Sequence, residues 1–173
     1  RLLAAGAWPN VMCSTSHTTP LQEALGKGHT GLAMKLLAAG ADPNLGVVVG
    51  ADTPLQLAVP LDCPPLVEAL LAAGAPPGSV SGANLATPLQ LAVRQQRCEE
   101  AALLLAKGAD ASVVDSSSGD TLLHTAVSSG SSQLVALLVP TSADINASNA
   151  AIHTPLLMAM RSEQAWASGI ALQ

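Results

Sequence analysis

Thr19-Pro20-Leu21-Gln22-Glu23-Ala24 recurs as Thr53-Pro54-Leu55-Gln56-Leu57-Ala58 and again as Thr87-Pro88-Leu89-Gln90-Leu91-Ala92. It returns as Thr121-Leu122-Leu123-His124-Thr125-Ala126 and as Thr154-Pro155-Leu156-Leu157-Met158-Ala159. The threonines stand 34, 34, 34 and 33 residues apart, and that period confines the chain to a repeat architecture. A second signature keeps step: Leu2-Leu3-Ala4-Ala5-Gly6-Ala7, Leu36-Leu37-Ala38-Ala39-Gly40-Ala41, Leu70-Leu71-Ala72-Ala73-Gly74-Ala75 and Leu104-Leu105-Ala106-Lys107-Gly108-Ala109. Its last return, Leu138-Val139-Pro140-Thr141-Ser142-Ala143, is degenerate. Each Thr lies 22 residues before the Ala that closes the next signature, and that Ala lies 12 residues before the following Thr, or 11 between Ala143 and Thr154. Length varies only in the connection, so the Thr-to-Ala block is the rigid unit.

Each element of the block has a mechanical role. Thr followed by Pro starts a helix, because the hydroxyl caps free amides and Pro fits the first helical position. Gln22, Gln56 and Gln90 fall three residues after the Thr and complete a capping box. Leu two residues on and Ala five residues on share one helix face, and the Ala keeps that face thin. A second helix follows, carrying Ala33, Val67, Ala101 or Val135 and burying the Leu36-Leu37, Leu70-Leu71, Leu104-Leu105 and Leu138-Val139 pairs. Gly6, Gly40, Gly74 and Gly108 end it with a left-handed C-terminal cap. Asp42-Pro43-Asn44, Pro76-Pro77-Gly78 and Ser116-Ser117-Ser118-Gly119 supply turn residues for the connections.

Composition agrees with thin layers. The chain has two Trp and neither Phe nor Tyr, yet 49% of its residues are hydrophobic. Ala, Leu and Val must therefore close the core without the large aromatic anchors of a wide one. That apolar fraction, with 11% charged residues, excludes disorder. A net charge of −5 argues against nucleic acid as a partner. Mean hydropathy is +0.41, but no apolar run approaches the ~18–20 residues of a membrane span, so no membrane insertion is expected. Cys13, Cys63 and Cys98 are an odd, dispersed set, which points to a reducing intracellular, cytoplasmic setting. The four histidines are equally scattered, so neither a metal site nor a cofactor is expected.

On these motifs the chain resembles the ankyrin-repeat family, whose T-P-L-H-x-A signature and Leu-Leu pair with trailing Gly-Ala-Asp match across nearly its whole length. The resemblance implies an all-α repeat solenoid: ankyrin-type helix-turn-helix repeats with β-hairpin-like fingers projecting to one side. In this register residues 1–10 are the tail of a partial repeat, and about 11–44, 45–78, 79–112 and 113–146 are four full repeats. Residues 147–173 form a degenerate C-terminal repeat, so that 1–173 is a single array. Gln stands for the family's His in three repeats, Pro140 and Ser142 disturb the fourth repeat's second helix, and Pro60, Pro64 and Pro65 crowd one inter-helix turn. Arg1 opens directly on a half repeat, so further repeats or domains of a longer parent chain are expected to precede it.

No Gly-rich phosphate loop, nucleophile elbow or HExxH is present, and no catalytic residue is expected. Glu99-Glu100 reads as a solvated helix face. Asp42, Asp110 and Asp144 read as finger-turn residues. The resemblance therefore implies a non-catalytic scaffold that binds another protein through its concave face and fingers. The alternative is a regulatory ankyrin segment of a larger enzyme, channel or transferase. Carried over by register, the contact positions at first-helix ends include Lys27, Leu61, Arg94, Gln95, Ser129 and Arg161. The finger positions before each Thr include Asp52, Ala86, Asp120 and His153, with Val48 further out. Lys27, Arg94 and Arg161 read as a sparse basic row or as solubilising charges. Val11-Met12, Val47-Val48-Val49, Val80, Leu85, Val113-Val114 and Ile152 make the fingers unusually apolar. They either pack inward or form a strip for a partner. Three successive valines cannot all face inward in an extended segment, which favours the partner.

Overall fold

The computed structural model describes residues 8–14, 17–46, 51–80, 85–141 and 144–161. Among these residues regular structure consists of short helices without a sheet: α1 Pro20–Gly26, α2 Thr30–Ala38, α3 Pro54–Ala58, α4 Pro64–Ala72, α5 Pro88–Arg94, α6 Cys98–Ala106, α7 Leu122–Ser128, α8 Ser132–Leu138 and α9 Pro155–Arg161. The chain divides into two compact units, residues 1–91 and 92–173, with the division inside α5. In the first unit α1 packs on α2 and α3, and α4 packs on α2 and α3. In the second, α7 packs on α8 and α9, and α6 on α8.

The helix starts follow from the threonines. Thr19 Oγ1 accepts from the Gln22 amide at 3.3 Å, and the Thr19 amide donates back to Gln22 Oε1 at 2.9 Å. Thr53 with Gln56 and Thr87 with Gln90 repeat the arrangement. Thr121 uses His124 instead, its amide donating to Nδ1 at 3.2 Å. At Thr154 the hydroxyl still accepts from the Leu157 amide, but Leu157 has no polar atom to complete the box. A cap of this kind is worth about 1 kcal/mol.

The box residue has a second task. Gln22 Nε2 donates to the Gly46 carbonyl at 2.8 Å, and Gln56 Nε2 to the Ala86 carbonyl at 2.6 Å. His124 Nε2 meets the His153 carbonyl at 2.7 Å. Since Nδ1 accepts from Thr121, the ring proton sits on Nε2 and donates there. A Gln amide thus reproduces both imidazole functions, acceptance at one atom and donation at the other. At Gln22 and Gln56 the substitution of Gln for His preserves the link from helix start to the next finger.

Second helices end as the glycines demand. Gly40, Gly74 and Gly108 have φ of 85°, 92° and 85°. The amides of Ala41, Ala75 and Ala109 reach back to the carbonyls of Leu36, Leu70 and Leu104, closing Schellman motifs. The first residue of each leucine pair is buried. The second is less so: Leu37 and Leu105 are half-buried and Val139 is exposed, so the expectation that both are buried holds only for Leu70-Leu71. Val135 is also only half-buried, although its counterparts Ala33, Val67 and Ala101 are buried. Helix α8 stops at Leu138, two residues short of its counterparts' length, ahead of the helix-breaking Pro140. Pro64 and Pro65 cause no such loss, because they occupy the first turn of α4 where no intrahelical amide is needed.

Between the two helices of a pair stands a left-handed residue that also recurs at 34-residue intervals: Gly28, Asp62, Gln96 and Gly130, with φ between 53° and 71°. Glu100 departs from its expected solvated role. It is 2% exposed on the inner face of α6, at the position filled by Leu66 in α4 and Leu134 in α8, and its Oε1 has no hydrogen-bond partner.

Candidate protein-interaction surface

Two of the fingers are tight turns. In one, the Asp115 amide donates to the Asp120 carbonyl and the Gly119 amide to the Asp115 carbonyl, both at 2.8 Å. In the last, the Asn149 amide donates to the His153 carbonyl at 3.0 Å and the Ile152 amide to the Asn149 carbonyl at 2.9 Å. Val114 and Thr121 form an isolated antiparallel bridge. The residue two before the capping Thr is left-handed at four fingers: His17 (φ 53°), Leu85 (48°), Gly119 (68°) and Ile152 (59°). At Gly119 the conformation suits the residue, and a Cβ there would lie 3.1 Å from the Ala150 amide nitrogen. Leu85 and Ile152 adopt it against the preference of branched side chains. They are also 66% and 80% exposed, so no burial offsets the strain. Val11, Met12, Val80 and Val114 are exposed as well, which decides between inward packing and display for those residues.

The individual contact positions divide by what already holds them. In the first unit, Lys27 is exposed and pairs with Glu23 at 3.2 Å. That bond, followed by one from the Thr18 hydroxyl, holds the Glu23 carboxyl below its ordinary range. Asp52 is exposed and Leu61 half-buried. Ala86 has to be set aside as a contact side chain. It is buried, because its carbonyl must face inward to receive Gln56 Nε2. Val48, with the rest of Val47–Val49, lies outside the described residues.

In the second unit Gln95 is exposed at the end of α5. Arg94 Nη2 donates to Asp115 Oδ2, which ties the helix end to the next finger. Asp115 is the hub of that finger. Its Oδ1 accepts from the Ser117 hydroxyl, the Ser117 amide at 2.8 Å and the Ser118 amide at 3.0 Å. These donors, the Ser117 hydroxyl first and Arg94 least, hold its carboxyl far below the usual range. Asp120 is half-buried and accepts from Asn149 Nδ2 at 2.7 Å, which links two successive fingers. The Ala150 amide adds a bond to the Ser118 carbonyl at 3.0 Å. Ser129 spends its hydroxyl on the Ala126 carbonyl at 2.9 Å. Arg161 is exposed, and its Nη1 lies 2.8 Å from Nε2 of the half-buried His153.

Asp115, Ser117 and Asn149 were not apparent as site residues from the repeat, because they occupy the connection, where register is loosest. Asn10 and Asn44 stand 34 residues apart and act as links between turns as well as turn formers. Asn10 Nδ2 donates to the Gly40 carbonyl and Asn44 Nδ2 to the Gly74 carbonyl, tying successive turns of the first unit. Asp42, Asp110 and Asp144 do serve the finger turns, each carboxylate accepting from the amide two residues on. Among the described residues, no three His, Cys, Asp or Glu side chains come together as a metal-holding group, and no helix is long and apolar enough to cross a membrane.

A family model described as Ankyrin repeats (3 copies) matches residues 55–149 and 89–167. The match covers more than half of the chain, and the chain belongs to the ankyrin-repeat family. Its fold is accordingly of the all-α repeat class, and repeats of this kind are generally non-catalytic protein-interaction modules. No curated protein matches the chain significantly.

Proposed function

We propose that the chain is a binding module that engages a protein partner through its fingers and first-helix ends. The observation that carries this reading is the pair of strained, exposed apolar finger residues, Leu85 in the first unit and Ile152 in the second. Left-handed conformation costs a side chain of this type about 1–2 kcal/mol. Exposure to water adds no return in the free chain, whereas burial against a partner would provide one. Each unit also carries further proposed contact positions, mostly polar. Lys27, Asp52 and Leu61 belong to the first unit, and Arg94, Gln95, Asp120, Ser129, His153 and Arg161 to the second. Arg94, Asp120 and Arg161 already hold internal partners, so they contribute to selectivity by exchanging those bonds rather than as free charges.

Affinity capture under crosslinking, followed by quantitative comparison with Ile152→Asp and Arg161→Glu, tests the assignment. Loss of the same protein from both variants, with thermal stability retained, supports it. Undiminished capture by both would refute the assigned face.

A further inference from the structure

The serine-rich finger of the second unit is built as more than a turn. Ser117 is exposed, and its hydroxyl donates to Asp115 Oδ1 while Arg94 holds the other oxygen of the same carboxylate. Ser118 differs: it is half-buried, its Oγ accepts from the Asp120 amide at 3.2 Å and its carbonyl takes the Ala150 amide. Residues 108–160 contain no Lys or Arg and four aspartates, Asp110, Asp115, Asp120 and Asp144. The hydroxyl therefore lies in an acidic stretch of chain with Arg94 poised one side chain away.

We propose that Ser117 is a phosphorylation site for a serine kinase with a basic substrate groove, and that its modification transfers Arg94 from Asp115 to the phosphate. Ser117 Oγ attacks the γ-phosphorus of a nucleoside triphosphate. The Oγ–P bond forms as the bond from that phosphorus to the β–γ bridging oxygen breaks. The nucleoside diphosphate leaves and the hydroxyl proton passes to the kinase's base. A donor to Asp115 thereby becomes a group of charge about −1.5 to −2 beside the same carboxylate. Repulsion loosens Asp115, and Arg94 is the cation already in place to pair bidentately with the new oxygens. Arg94 is also one of the proposed contact positions, so the regulatory consequence rests on that binding reading while the modification itself does not.

The test treats the full chain with magnesium ATP and a purified acid-directed serine kinase, and maps the phosphate by tandem mass spectrometry. The expected product carries phosphate on Ser117, lost in Ser117→Ala and retained in Ser116→Ala. Thermal melts of phosphorylated and untreated protein are then compared in wild type and Arg94→Gln. Phosphorylation should lower Tm several degrees further in Arg94→Gln than in wild type, because the phosphate there has lost its cation. No phosphate on the chain, phosphate elsewhere than Ser117, or an equal Tm change in both backgrounds would overturn the proposal. None of these readouts involves the binding partner.

Discussion

Gln56 offers the sharpest perturbation. Its side chain is 2% exposed, accepts from the Thr53 amide at 2.8 Å and donates to the Ala86 carbonyl at 2.6 Å. Gln56→Ala removes both contacts and leaves two poorly hydrated backbone groups, each costing about 1–3 kcal/mol when unpaired. A total of about 2–6 kcal/mol is expected, which at about 2–4 °C per kcal/mol for a chain of this length lowers Tm by roughly 4–24 °C. Gln56→His should cost under about 1 kcal/mol, because His124 makes the same two bonds through Nδ1 and Nε2. Gln56→Glu should at neutral pH behave as badly as Ala, since it turns an acceptor toward the Ala86 carbonyl. Urea denaturation, together with amide exchange at Thr53, measures both the loss and its location. If the Ala and His variants were equally stable, the hydrogen bonds would be irrelevant and the link between helix start and finger would be a by-product of packing.

Three further outcomes follow from the same geometry. Ile152→Gly should raise stability by about 0.5–1 kcal/mol by relieving the left-handed strain, read from the urea midpoint, while weakening capture of the partner. Glu100→Leu should raise stability by about 1–2 kcal/mol, since Leu66 and Leu134 fill the equivalent places completely buried; a lower midpoint would show that the carboxylate is satisfied in the fold. The Asp115 carboxyl is depressed, so its stabilisation is fully present above the ordinary carboxylate pKa of about 3.9 and is lost as pH falls further. Wild type should accordingly exceed Asp115→Asn in stability at pH 7, and the gap should narrow below about pH 4 in pH-resolved melts.

The parts of the fold legible in the sequence are those where one residue type meets one local demand. Thr19, Thr53, Thr87 and Thr121 cap because a hydroxyl before a helix has few other uses, and Gly40, Gly74 and Gly108 end helices because their φ is positive. Glu100 looks solvated in the sequence because it stands next to Glu99, whereas helical geometry turns adjacent residues about 100° apart and puts only Glu100 on the inner face. Ala86 differs from its expected display for the opposite reason. Its position in the finger suggested display, but the inward pull acts on its carbonyl, which no side-chain pattern encodes. The Arg94–Asp115 tie was hidden because the two residues share no register position. The left-handed strain at Ile152 was hidden because position two before Thr is conformationally special regardless of the residue there.

The strained finger tips are the proposed place where a partner binds. A photo-crosslinking amino acid placed at position 152, and separately at the exposed Lys107 in the turn after α6, tests it most directly. Position 152 should crosslink to one defined protein and position 107 should not. Crosslinking of that protein from position 107, with none from 152, would contradict it.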